Sequence, residues 1–121
     1  MNAKELRDRT QRFAVRVVQF CRTLPGTWEA RRIGGQLIDS ATSVYGNYRA
    51  TCRGRSRADF INKIGIVEEE ADESLGWLEL IGALEMASGS EFDWLLREAD
   101  ELTAIFSASH KTAQANRQRR G

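Results

Sequence analysis

The chain has 121 residues, 41% hydrophobic and 29% charged, with a formal net charge of +1; that is one domain's length, enough to bury a core without disulfide or metal staples. A single proline, Pro25, and the lack of alternating β-branched runs exclude a sheet protein and predict an all-α fold. No apolar run approaches the roughly 18 residues of a membrane span, and the first dozen residues mix Lys4, Arg7, Arg9 and Arg12 with Glu5 and Asp8, unlike a secretory signal, so the expected location is cytoplasmic.

The first helix is predicted over about 4–24, with Leu6, Phe13, Val17, Phe20 and Leu24 at three-and-four spacing, and Leu24-Pro25-Gly26 ends it. Thr27 caps a second helix over 28–53, whose stripe is Trp28, Ile33, Leu37, Ala41, Val44 and Tyr48 and whose stop is Gly54. Ser56, with Asp59 three residues on, starts a third over 57–86; Phe60, Ile64, Val67, Ala71, Leu75 and Leu78 form its main stripe. Ile61, Ile66, Trp77 and Leu80 fall outside that stripe, an excess that predicts burial against another subunit. After Ser88-Gly89-Ser90, with Ser90 and Asp93 repeating the cap pattern, a fourth helix over 91–113 buries Phe92, Leu95, Leu96, Ala99, Leu102, Ile105 and Phe106. Residues 114–121 are polar and basic and are expected to fray, leaving 1–113 as the folded domain. Four helices joined by short turns give an antiparallel up-down-up-down bundle.

The second helix carries a polar stripe as well, Gln36, Ser40, Ser43 and Asn47. An antiparallel hairpin about Gly54 brings Ser40 level with Glu70, Gln36 with Glu73 and Asn47 with Lys63. This seam reads as a polar pocket or as a buried hydrogen-bond network that fixes helix register, the second being the usual fate of such groups. Arg49 and Lys63 carry the same ambiguity, since Asp59 or Asn47 can hold either in a structural pair.

Charge placement says more than net charge. The end that gathers the first N-terminus, the second turn and the last C-terminus holds Lys4, Arg7, Arg9, Arg12, Arg49, Arg53, Arg55, Arg57, Lys63, Lys111, Arg117, Arg119 and Arg120, against only Glu5, Asp8 and Asp59. Cations favour helix C-termini, which explains part of this bias. Arg53, Arg55 and Arg57, however, alternate within one tight turn, and arginine suits bidentate phosphate contact. The residues expected to contact nucleic acid are these three with Arg49 and Lys63 behind them and Arg117, Arg119 and Arg120 on the tail.

No catalytic, cofactor or metal site is expected. The single histidine, His110, has no partner at ligand spacing, and carboxylate metal sites in bundles need Glu-x-x-His pairs. Phosphate loops and nucleophile elbows are missing from the sequence. Cys21 and Cys52 lack metal-ligand spacing and read as small buried or half-buried side chains. The acids Glu68, Glu69, Glu70, Asp72 and Glu73 spread around their helix as a solvated or subunit-facing surface, with a divalent cation as the other reading.

The ordered set Gln36-Leu37-Ile38-Asp39-Ser40-Ala41-Thr42-Ser43-Val44, Asn47-Tyr48-Arg49, Ser56 to Lys63, Glu70-Ala71-Asp72-Glu73 and Trp77-Leu78-Glu79-Leu80 resembles the small bacterial four-helix bundle family also called the 23S rRNA intervening-sequence protein family. The resemblance runs from the Phe13-Ala14 region into the fourth helix. It implies a homopentamer and a kinship with the accessory protein of diversity-generating retroelements, whose partners are nucleic acid and a reverse transcriptase. Ala50 departs from the pattern, since many members carry an acid after Asn-Tyr-Arg. The expected protein is thus a non-enzymatic oligomeric adaptor that contacts RNA or DNA backbone, with a protein scaffold lacking nucleic-acid contact as the alternative.

Overall fold

A computed structural model of the chain describes residues 1–54 and 56–119 in full and Arg120 by its backbone. Four helices form the bundle: α1 (Ala3–Cys21), α2 (Trp28–Thr51), α3 (Arg57–Ala83) and α4 (Ser90–Arg120). The backbone of each helix lies close to two neighbours, α1 to α2 and α4, and α3 to α2 and α4, while the diagonal α2 and α4 meet through core side chains, Tyr48 on Phe106. This is the square, antiparallel arrangement that short turns impose.

The helix starts follow local chemistry. Asn2, Thr27 and Ser56 each accept a backbone N–H three residues on, from Glu5, Ala30 and Asp59. α4 differs, because Ser90 is already helical and the turn before it is made by Gly89 at φ +109°. Asp93 N–H bonds the Gly89 carbonyl at 2.9 Å.

All four helix ends fall elsewhere than expected: α1 stops at Cys21 rather than 24 and α2 at Thr51 rather than 53, where Leu24 N–H turns back to Cys21 O at 3.3 Å and Gly54 N–H to Thr51 O at 3.0 Å. α3 stops at Ala83 rather than 86 in a Schellman motif, in which Glu85 N–H bonds Gly82 O at 3.0 Å and Met86 N–H bonds Ile81 O at 3.1 Å. Glu85 occupies the left-handed position at φ 57°, so the stop carries no glycine for the sequence to advertise. α4 continues as helix to Arg120, where fraying was expected from 114; Ala113 and Asn116 still lie against the start of α3, which gives these last turns a neighbour.

Phe13, Val17, Leu37, Val44, Ile64, Val67, Leu78, Ile81, Leu95, Leu102 and Phe106 are fully enclosed, each worth about 1.5–3 kcal/mol of apolar burial. Tyr48 packs on Phe106 and Phe20 stacks on Phe92. The buried row of α3 is Ile61, Ile64, Val67, Ala71, Ser74, Leu78 and Ile81. Phe60 and Leu75 of the expected stripe lie at its margin, one residue aside from Ile61 and Ser74, a choice that three-and-four spacing leaves open. Trp28, expected in the core, is 74% exposed: it precedes Ile33 by five positions rather than three or four, so it lies on the side of α2 opposite the buried row, whose Ala30 at the same end is fully enclosed.

Candidate nucleic-acid interface

The turn between α2 and α3 is built from Cys52 to Ser56. Arg53 N–H bonds Ala50 O and Gly54 N–H bonds Thr51 O, each at 3.0 Å, winding the chain tightly off the helix end. A Cβ on Gly54 would sit 3.1 Å from the Thr51 carbonyl and 3.2 Å from an Asp59 carboxylate oxygen, so a side chain here would press on the turn's own backbone. Ser56 then accepts Asp59 N–H at 3.1 Å and Arg57 becomes the first residue of α3.

Beside this turn lies a cleft of about 470 Å³ lined by Gly54, Ser56, Arg57 and Phe60 from one side and Ala113 and Asn116 from the last turns of α4. The guanidinium groups of Arg49, Arg53, Arg57 and Arg117 are exposed and make no hydrogen bond or ion pair with a described residue. Arg119 donates to Asn116 at 3.2 Å. Arg55 and the side chain of Arg120 lie outside the described residues.

Other predicted contributors are engaged. Lys63 Nζ lies 2.6 Å from Asp59 Oδ1, the structural alternative to a phosphate contact. Arg9, counted at the basic end, donates to both oxygens of Glu98 at 2.7 and 2.8 Å and also reaches Glu101. Glu98 is a buried acid, 6% exposed, and the bond to it holds the Arg9 guanidinium above its ordinary range. Sequence reasoning missed this clamp because Arg9 and Glu98 are 89 positions apart.

The polar seam of α2 and α3 takes a different form from the one expected. Ser40, 2% exposed, accepts from Ser74 Oγ at 2.8 Å and donates to Leu37 O at 3.1 Å. Ser74 also contacts the Glu70 carbonyl at 2.9 Å. The partner of Ser40 is therefore one helical turn beyond Glu70, since α3 begins later around the turn than counting from Gly54 implies. The carboxylates are not buried partners. Glu73 is exposed and Glu70 half-buried, with the Glu70 carboxyl pushed up by burial and then by Glu73, Glu69 and Asp39. Gln36 and Ser43 are half-buried, while Asn47 donates to its own helix at Ser43 O, 3.0 Å.

A family model described as 23S rRNA-intervening sequence protein matches residues 4–108. The chain belongs to this family. No curated protein matches it significantly. It is similar to the crystal structure of a protein of unknown function from the S23 ribosomal protein family of Bacteroides thetaiotaomicron VPI-5482, with 30% identity, a TM-score of 0.79, and coverage of 87% of this chain and 97% of that one.

Within the intervening-sequence match lie Arg49, Arg53, Arg57 and the α2–α3 turn, whereas His110, Lys111 and the tail arginines lie beyond it. His110, read in the sequence as unpartnered, places Nδ1 3.0 Å from Glu68 Oε1 across α3 and α4. A Cβ on Gly65 would stand 3.1 Å from its ring, so glycine makes room for the imidazole. The groove alongside adds Glu69, Asp72 and Asp100, but among the described residues no three His, Cys, Asp or Glu side chains converge as a metal-ligand set.

Cys21 is half-buried, its thiol directed at Gly34 O and pushed up to about 11 by burial. Cys52, read as buried or half-buried, is exposed because it caps α2 at the turn. No helix among the described residues is long and apolar enough to cross a membrane.

Proposed function

We propose that the protein is a non-enzymatic, homo-oligomeric adaptor that grips nucleic-acid backbone through the α2–α3 turn and the end of α4. The observation that carries this reading is the set of exposed guanidinium groups of Arg49, Arg53, Arg57 and Arg117 on the end of α2, the α2–α3 turn and the end of α4, with no partner among the described residues and with Arg57 lining the cleft, while Asp59 accepts from Lys63. Free arginines on a firm backbone present forked donors without first breaking an internal pair, which suits phosphate. Among the described residues that line the cleft the one aromatic is Phe60, so contact there is electrostatic and of low sequence preference.

Assembly is supported by a second row on α3. Ile66 and Leu80 are 37% and 39% exposed, and Leu84, just past the helix, is 49% exposed. With Trp77, which is half-buried and packs against the core's edge, they follow helical spacing along the flank of α3 beside the buried row, interrupted by Glu73. Five copies is the number that the family resemblance implies, and a ring would set the basic ends on one face and multiply a modest patch.

The test is a titration of wild type and the R53A/R57A variant with mixed-sequence RNA and DNA at several salt concentrations. Wild-type affinity should fall steeply with salt, and the variant should bind more weakly with a salt slope shallower by about two. Binding that is absent at low salt would overturn the reading in favour of a protein scaffold.

A further inference from the structure

Among the described residues Trp28 is the most exposed large hydrophobic, 74% accessible, on the side of α2 opposite the core. It stands at the start of α2, at the opposite end of the bundle from the α2–α3 turn and about 36 Å from it along a helix of 24 residues. Its surroundings are cationic: the segment from Arg22 to Arg32 contains Arg22, Arg31 and Arg32 against one acid, Glu29. Arg31 and Arg32 follow Trp28 by three and four positions, which places them on its face of the helix. Arg31 donates to the Gly26 carbonyl at 2.8 Å, fixing the loop that leads into Trp28. The guanidinium groups of Arg22 and Arg32 have no partner among the described residues.

We infer that Trp28 is a stacking platform for an unpaired nucleic-acid base, with Arg22 and Arg32 holding the flanking phosphates. The cations on the ring's own helix face select this occupant. A lipid-facing helix carries an apolar face, and a protein docking site sets its aromatic within an apolar ring. The residues that share the Trp28 face of α2 are instead Arg31, Arg32, Gly35 and Gln36, and the apolar groove that Val18, Leu24, Pro25 and Ile38 form with Arg31 is lined without Trp28. One flat ring among cations matches one base between two phosphates. Bases within a duplex are already stacked, so the site discriminates in favour of single strands, which the α2–α3 turn does not. The inference shares its class of partner with the proposed function but rests on different residues, so the two can fail separately.

The experiment follows tryptophan emission of the full chain at low salt during titration with oligo(dT) of about 20 nucleotides, longer than the roughly 4–16 nucleotides a single-strand site covers, and with a duplex of equal length. Wild type, W28F, W28A, R22A/R32A and R53A/R57A are compared. The emission that wild type has and W28F lacks should be quenched by oligo(dT) and not by duplex. W28A should bind oligo(dT) about 5- to 150-fold more weakly, while W28F keeps most of the affinity. R22A/R32A should lower the salt slope by about one to two. R53A/R57A should keep the Trp28 quenching. Unchanged oligo(dT) affinity in W28A, or quenching equal for duplex, overturns the inference even if R53A/R57A binds weakly and the proposed function stands. A Trp28 signal that follows protein concentration alone assigns the ring to a second copy of the chain, and one that answers only to anionic phospholipid vesicles assigns it to a membrane surface; either result overturns the inference as well.

Discussion

Glu98 is a charge placed where the sequence gives no reason to expect one. Its side chain is 8% exposed, and the two bonds from Arg9 replace the water it has lost. Removing Arg9 leaves that carboxylate buried and short of donors, so R9A should destabilise by about 2–3 kcal/mol in urea unfolding. R9K should recover only part, since lysine cannot make the forked contact. A loss under about 0.5 kcal/mol for R9A would mean that Glu98 finds water instead. The two serines behave differently, because each keeps a backbone acceptor when the other is removed. S40A/S74A should therefore cost no more than about 1 kcal/mol. E73A, an exposed site, should stay within about 0.5 kcal/mol of wild type; the larger loss expected from a buried Glu73 does not apply.

Two acids respond to pH with opposite signs. The hydrogen bond from Arg16 lowers the Glu91 pKa, so the folded state binds that proton less tightly than the unfolded chain does. Its stabilisation is complete above the ordinary glutamate value and is lost as pH falls through the lowered one. Glu70 is raised by burial and by Glu73, so stability falls as pH rises from the ordinary glutamate value through the raised one. E70Q should thus stabilise at neutral pH, by a few tenths of a kcal/mol after solvent screening, and E91Q should destabilise there but not in acid. Urea melts of the two variants between about pH 3 and 8 should diverge in this way, and parallel profiles would contradict it.

At the scale of the element, glycines in helical positions separate into two kinds. Gly76 has open space where a Cβ would go, so G76A should gain about 0.5–1 kcal/mol from reduced chain entropy. Gly82 would place a Cβ 3.1 Å from the Phe92 ring, which is buried and stacked on Phe20. G82A should therefore destabilise, by about 1–2 kcal/mol. Glu85 shows the reverse case, a side chain in a left-handed position at φ 57°. E85G should relieve about 1 kcal/mol and raise the melting temperature, and a lower one would mean that the Glu85 side chain stabilises the turn. This missing glycine is also why the end of α3 was read three residues late.

For the whole molecule, the uneven helix lengths matter most. α4 has 31 residues against 19 in α1, a difference of about 18 Å. Arg16 pairs with Glu91 and Arg9 with Glu98, so α1 accompanies only the first part of α4, and the rest runs along α3 to the α2–α3 turn. Light scattering at micromolar concentration should give an oligomer mass, with L80E or I66E reducing it. A monomeric wild type would remove the argument from the outer row of α3.

The sequence by itself determined the number of helices, three of the four starts, the antiparallel order and most of the core, because caps and three-and-four spacing act within a few residues. It also located the arginine-rich turn. Tertiary structure decided which cations remain available. Arg9 is spent on Glu98 and Lys63 on Asp59, whereas Arg49, Arg53, Arg57 and Arg117 have no partner among the described residues. It decided too that Ser40 meets Ser74 rather than Glu70. The physical reason is one of range: helical periodicity fixes the side of a helix on which a residue lies, but whether that side is covered depends on where the neighbouring helices begin and end.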